Sequence, residues 1–179
     1  MALDLATKTG WCYFPSNVIV GEVHLQQIIP ANYQSGVKTI GNAHSSLGSF
    51  FNEYRIWLRE RLIVMRPFGV VYEAPFVRTG GKNKAGRGGF ANEAAIARKL
   101  FGLTAVTEEV VYDMQLPWIR QVKVEAIKKH WAHNGHATKE DMVAVAENYG
   151  FKPKDDNEAD AIALAHYTWT IERAKKGRS

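Results

Sequence analysis

Three carboxylates stand where water would be the cheaper home: Asp4, Glu73 and Asp160, each flanked by apolar residues. An ionised carboxylate avoids such neighbours unless something compensates the hydration it gives up. Asp4 lies between Leu3 and Leu5, and Glu73 closes the apolar run 68–72. Asp160 belongs to an acidic segment, Asp155, Asp156, Asn157, Glu158 and Asp160, that opens a stretch otherwise apolar on one side. On a helix, Asp156 or Asn157 shares the face of Asp160, at spacing i,i+4 or i,i+3. Acids also favour helix N-termini, where the macrodipole and unpaired N–H groups stabilise them, so this segment alone requires no ligand. With two more acids from distant strand ends, the set becomes three or four hard oxygen donors, the ligands that suit Mg2+ or Mn2+. Two such ions, about 3.5–4 Å apart, activate a water and stabilise the leaving oxygen in phosphodiester cleavage.

The elements that must position these acids follow from the pattern of the chain. Leu3 and Leu5 alternate with Asp4, so residues 1–6 read as the end of a first strand. Residues 7–10 are a turn signal, and 10–14 and 18–25 read as strands joined in a hairpin around Pro15-Ser16-Asn17. Ile40, Leu47, Phe50, Phe51, Tyr54, Trp57, Leu58 and Leu62 follow a three-four rhythm that predicts a helix over 36–64. Arg55, Arg59 and Arg61 lie mostly off that stripe, as on a solvated face. Pro67 ends the helix, and 68–72 suits a central strand buried on both sides. Residues 77–90 read as a long loop, 91–102 as a helix, 104–112 as a strand with Val106, Val110 and Val111. Helices over 123–132 and 138–149 follow, the second opened by the capping pair Thr138 and Asp141. The acidic helix, 152–174, closes the fold. The expected architecture is α/β, a mixed five-stranded sheet flanked by helices, with parallel pairing and right-handed crossovers among the late strands. Neighbouring strand ends then bring Asp4 and Glu73 to the edge where open sheets keep their sites.

Composition bounds the rest. The 179 residues suit one domain, 1–179, and 46% hydrophobic with 23% charged residues is ordinary globular composition that does not favour disorder. The net charge of +5 suits a polyanionic partner. A single cysteine, Cys12, excludes a disulfide framework and any multi-cysteine zinc site. Without an apolar run of about 18 residues or a signal-peptide pattern, a cytoplasmic protein with no membrane span is expected. The loop contributes Arg78, Lys82, Lys84 and Arg87 among five glycines, the strongest candidate for phosphate contacts. It is no Walker loop, because no Gly-Lys-Ser/Thr follows at the required spacing. The stretch 118–139 is basic with Trp118 and Trp131 interleaved, which suits a DNA-facing surface or a core. His130, His133 and His136 have metal-like spacing, but Gly135 breaks the helix between them, and they read as surface.

DLATKTGW at 4–11, VVYEAPF at 70–76, RQVK at 120–123, GHATKEDMV at 135–143 and NEADAIALAHY at 157–167 together resemble the RuvC family of Holliday-junction resolvases, most nearly its bacteriophage-type members. The resemblance spans nearly the whole chain in order. It implies an RNase H-like fold and a divalent-metal-dependent endonuclease that cuts branched double-stranded DNA, four-way junctions above all, leaving 5′-phosphate ends. It implies Asp4, Glu73 and Asp160 as ligands of Mg2+, with Mn2+ able to substitute and two ions expected. The family's fourth ligand falls on Asn157, a neutral oxygen donor, with Asp156 as the neighbouring substitute. Lys123 and Lys139 match lysines kept near the scissile phosphate, and Phe76 matches an aromatic that meets bases at the junction centre. Two cuts per junction imply a homodimer. Ribonuclease H proper carries its Glu on the first helix, whereas Glu73 ends a strand, which favours the resolvase branch. Two other readings stay open: a nuclease of the same fold acting on RNA–DNA hybrids or within a transposase, and a branched-DNA-binding protein without catalysis.

Overall fold

The computed structural model describes residues 1–15, 32–42, 44–75 and 89–176. Five strands form one mixed sheet in the order β3-β2-β1-β4-β5: β1 Ala2–Asp4, β2 Lys8–Tyr13, β3 Gln34–Thr39, β4 Gly69–Glu73 and β5 Trp118–Val122. β1 and β2 pair antiparallel, as do β2 and β3, while β1, β4 and β5 run parallel. The α/β mixed sheet expected from the sequence is therefore present. Its helices are α1 Leu47–Met65, α2 Gly89–Asp113, α3 Val124–Trp131, α4 Lys139–Asn148 and α5 Asp156–Lys176.

Strand periodicity divides the core into two layers. Leu3, Trp11, Val70 and Tyr72 face α1 and α2, and pack with Phe50, Tyr54, Leu58, Leu62, Leu103 and Val110. Ala2, Cys12, Val71 and Val122 face the other way, onto Ile127, Trp131, Met142, Phe151, Ile162 and Leu164 of the α3–α5 layer. The alternation fixes which acids share a face. Asp4 follows Ala2 by two residues and Glu73 follows Val71 by two, so both side chains point toward α5.

Three sequence expectations change. The rhythm over 36–64 holds only from Leu47, where Ser46 caps the helix by accepting from Ser49 N. The segment before it is β3, and Ile40, the first position of the helical stripe, instead follows directly on that strand and donates its N–H to the Thr7 carbonyl at 2.8 Å. The strand expected over 104–112 is the second half of α2. Its valines belong to a helical stripe, Leu103, Val106, Thr107, Val110 and Val111, all buried. β-Branched content suggested a strand, but packing against α1 decides. A Cβ at Gly102 would sit 2.0 Å from the Phe51 ring, so the two helices cross at a residue without a side chain. The fifth strand is 118–122, within the stretch read as a basic surface. There Trp118 lies over Gly69, whose added Cβ would meet the indole at 2.4 Å.

Smaller expectations fare variously. The capping pair is a full capping box, Thr138 N to Asp141 Oδ2 at 2.8 Å and Asp141 N to Thr138 Oγ1 at 3.2 Å. Residues 8–10 belong to β2 and β1 ends at Asp4, which moves the turn expected over 7–10 to residues 5–7. Arg55 and Arg59 are not merely solvated: they bind Glu109 and Asp113, tying α1 to α2, and Arg61 stacks over Trp11. Trp131 is core, with its Nε1 donating to the Met142 carbonyl at 3.2 Å. The strand expected over 18–25, the hairpin turn at 15–17 and the basic loop with Phe76, Arg78, Lys82, Lys84 and Arg87 lie wholly or mostly outside the described residues. No helix among the described residues is long and apolar enough to cross a membrane.

Candidate metal and nucleic-acid site

The site is built at the C-terminal edge of the three parallel strands. β1 and β4 are in register at Ala2 with Val71 and Leu3 with Tyr72, so the next step sets Asp4 beside Glu73. Glu73 in turn pairs with Val122, the last residue of β5. α5 crosses this face, and its first turns supply the remaining acids.

Those first turns show why a run of acids can start a helix packed on a sheet. Three of the four acids have their own partners. Asp155 accepts from Glu158 N at 3.0 Å and pairs with Lys8, acting as a cap. Asp156 pairs with Lys139, the first residue of α4. Glu158 is buried, 3% exposed, and accepts from Ser35 Oγ at 2.6 Å and Lys154 N at 3.0 Å, fastening α5 to β3. Asn157 brings its backbone against β2: a Cβ at Gly10 would lie 1.9 Å from its carbonyl oxygen, so only glycine permits the approach. Asp160 is the acid left facing the sheet edge.

Asp4, Glu73 and Asp160 act on one another electrostatically. Burial raises the Asp4 carboxyl well above the ordinary range, and the charges of Glu73, Asp160 and Asp156 raise it further, against Lys139. Burial pushes Glu73 up to about 7, with Asp160 adding to it. Burial pushes Asp160 up to about 6, with Lys128 and Lys139 opposing and Asp156 adding. No hydrogen bond is among the causes of these shifts. Three half-buried acids that repel one another and lack compensating donors among the described residues form a donor set whose chemistry fits a divalent cation. As the side chains stand, however, no three His, Cys, Asp or Glu groups among the described residues converge in ligating geometry.

The lysines divide differently from expectation. Lys139 is at the site: its bond to Asp156 raises its pKa, and the charges of Asp160 and Asp4 add to the effect. Lys123 is exposed at the N-cap of α3 and is not among the charges that shift the three acids. Lys128, unremarked in the sequence, acts on both Glu73 and Asp160 and donates from Nζ to the Ala137 carbonyl at 2.6 Å. Its signal was available, since Lys128 lies one helical turn plus one residue after Lys123 on a short helix, but only the packing of α3 shows which lysine turns inward. Of the candidates for a fourth ligand, the Asp156 charge reaches Asp4 and Asp160. His133 and His136 are exposed, as expected, but His130 is half-buried, with Nε2 3.0 Å from His166 Nδ1, in a cluster with Trp131, Tyr149 and Tyr167.

No protein-family model matches the sequence, and no curated protein matches it. Solved structures do. The Thermus thermophilus RuvC structure matches with a TM-score of 0.69 at 17% identity, covering 97% of this chain and 94% of that chain. T. thermophilus RuvC in complex with a Holliday junction substrate matches with a TM-score of 0.68 at 16% identity, over 97% and 93% of the two chains. The yeast mitochondrial Holliday junction resolvase Ydc2 matches with a TM-score of 0.58 at 10% identity, over 93% and 76%. The chain therefore has the fold of the RuvC resolvases, RNase H-like, which its sequence motifs resemble.

Proposed function

We propose that this chain is a divalent-metal-dependent, structure-selective DNA endonuclease that resolves Holliday junctions and other branched DNA by hydrolysing phosphodiesters. The observation that supports the reading is the placement of Asp4 and Glu73 at adjoining strand ends, where they and Asp160 act on one another and no hydrogen bond from a described residue offsets the repulsion. The fold likeness to resolvases, one of them solved with its junction, supports the substrate class. The net charge of +5 suits a polyanion, and the basic loop with Arg78, Lys82, Lys84 and Arg87, together with Phe76, is assigned to DNA contact.

Asp4, Glu73 and Asp160 would hold Mg2+, or Mn2+ in its place, with Asp156 or Asn157 as the fourth donor. The ion supplies Lewis acidity toward the phosphate and lowers the pKa of water. The residues do the rest. Glu73, at the end of β4, would orient the attacking water and accept its proton on a carboxylate oxygen. Lys139 places an ammonium beside the acids, where it offsets charge on the pentacovalent phosphorus. Lys123, exposed at the start of α3, is left for contact with a neighbouring phosphate. Two coordinated cuts call for a homodimer. Exposed Ile56, Ile63 and Val64 of α1, 51–70% exposed, and Ile96 and Phe101 of α2 supply apolar surface for one. The site of action is the cytoplasm, the host's if a bacteriophage encodes the chain.

A second reading, branched-DNA binding without catalysis, has Asn157 and the unassembled donor set in its favour. Incubating the protein with a synthetic four-way junction and with an RNA–DNA hybrid, each with Mg2+, separates the readings. The endonuclease reading expects paired nicks in the junction and an intact hybrid. Hybrid cleavage would move the chain to another branch of the fold, and binding without cleavage in Mg2+ and Mn2+ alike would leave the non-catalytic reading.

A further inference from the structure

A cleft of about 280 Å3 opens between the β1–β2 turn, the chain just past β3 and the facing sides of α1 and α2. Thr7, Asn42, Ser45, Arg98 and Lys99 stand in its walls, with Phe50 beneath. The strands fix where it lies. β1 and β3 both run antiparallel to β2, so their C-terminal ends share the edge that carries Asp4. Thr7 follows Asp4 by three residues, which puts the two Cα atoms within about 11 Å of each other. Asp4 faces α5 and the cleft faces α1 and α2, so a strand of DNA laid over residues 5–7 would reach both.

The walls select the ligand. Their acceptors are engaged: Ser45 Oγ takes the Asn42 N–H at 2.8 Å, Asn42 Oδ1 the His44 N–H at 2.9 Å, and the Thr7 carbonyl the Ile40 N–H at 2.8 Å. Donors remain, in the Ser45 hydroxyl proton and the Asn42 amide N–H groups. Two cations face them from α2. Arg98 and Lys99 have no ion-pair partner among the described residues. The Lys99 ammonium lies over the Phe50 ring, 5.2 Å from its centroid. No acid is among the lining residues, and Glu53, which accepts from Gly41 N at 3.0 Å, is neutralised by Lys38 at 3.0 Å. Spare donors and adjacent unpaired cations call for an anion. The volume falls below the roughly 300–1,000 Å3 of sites for drug-sized ligands and suits one phosphate with its sugar.

We propose that this cleft is a second phosphate site, and that it seats a backbone phosphate of the bound junction within about three nucleotide steps, at about 3.4 Å each, of the phosphate at the acid cluster. The inference rests on the branched-DNA reading above and extends it to Arg98 and Lys99, which lie beyond the basic loop 77–90.

The test is binding of a synthetic four-way junction by the full-length protein, in EDTA and in Ca2+, over a series of salt concentrations. Arg98→Gln combined with Lys99→Met removes both charges. It should weaken binding on the order of tenfold near 0.1 M salt, and lower the slope of log K against log salt by about one, the loss of one phosphate contact. Arg98→Lys should keep both values. A scan of junctions, each with one phosphate replaced by a neutral methylphosphonate, should find a position within about three steps of the nick whose neutralisation weakens wild type and leaves the double variant unmoved. A double variant with wild-type affinity and slope, or the absence of any such position, would overturn the proposal. So would a double variant that loses inorganic phosphate, titrated without DNA, yet keeps the junction, because the cleft would then serve free anions. A wild type that binds four-way junctions no better than linear duplex would overturn the branched-DNA reading instead. Thermal melts establish that the double variant folds, and if it does not, Arg98→Gln alone, at an exposed side chain, carries the test.

Discussion

Replacing Glu73 with glutamine should make the metal-free protein more stable, and the amount can be worked from the site. Burial and the Asp160 charge raise the Glu73 carboxyl from 4.5 to about 7. At 1.36 kcal/mol per pK unit, this shift is worth about 3 kcal/mol. A raised carboxyl pKa means that the folded state prefers the protonated form. The contribution is therefore fully present below pH 4.5 and is lost as pH rises through about 7. At pH 8 the wild type carries the whole penalty and Glu73→Gln carries none. Some of the gain is offset by the amide's own hydrogen-bonding needs, which leaves about 1–2 kcal/mol, or about 2–8 °C in Tm for a chain of this size. Thermal melts in EDTA from pH 4 to 8.5 measure it. The two proteins should melt together near pH 4, diverge from about pH 4.5 and reach the full gap above about pH 7. Mg2+ at pH 8 should raise the wild-type Tm and leave the variant nearly unmoved. A gap that is absent, reversed or independent of pH would refute the claim that Glu73 sits in a charge-crowded, dehydrated place.

Two further changes test the scaffold. Gly10→Ala should destabilise by about 2–4 kcal/mol, read by denaturant melts, because its Cβ would fall 1.9 Å from the Asn157 carbonyl oxygen and force β2 and α5 apart. Ion affinity should fall with it, since the same turn of α5 carries Asp160. Glu158→Ala should cost about 2–4 kcal/mol by leaving the Ser35 hydroxyl and Lys154 N–H without their partner. A melt within half a degree of wild type would show that Glu158 is not the fastening between α5 and β3.

Much of this site was legible because its acids break a local rule: Asp4 and Glu73 end apolar strands, and Asp160 interrupts an apolar helix face. Period-two alternation then placed Asp4 and Glu73 on one face once the parallel register was known. The divided roles within 155–160 were not legible. Nothing in the spacing says that Glu158 turns toward Ser35, 123 residues away, while the Asp160 charge acts on Glu73. Lys128 was hidden for the same reason, since inward and outward lysines on a short helix look alike in sequence. The elements misread were those where tertiary contacts outweigh propensity. Val106, Val110 and Val111 suit a strand by type but follow a helical stripe onto α1, and 34–39 becomes a strand by pairing with β2 despite little apolar pattern.

The most direct test measures binding and cutting of a four-way junction side by side, in Mg2+, for wild type and Asp4→Asn. The prediction is that wild type nicks opposing strands to leave 5′-phosphates, and that Asp4→Asn binds the junction with the same affinity and leaves it whole. A wild type inert in Mg2+ and Mn2+, or an Asp4→Asn protein that still cuts, would contradict the account.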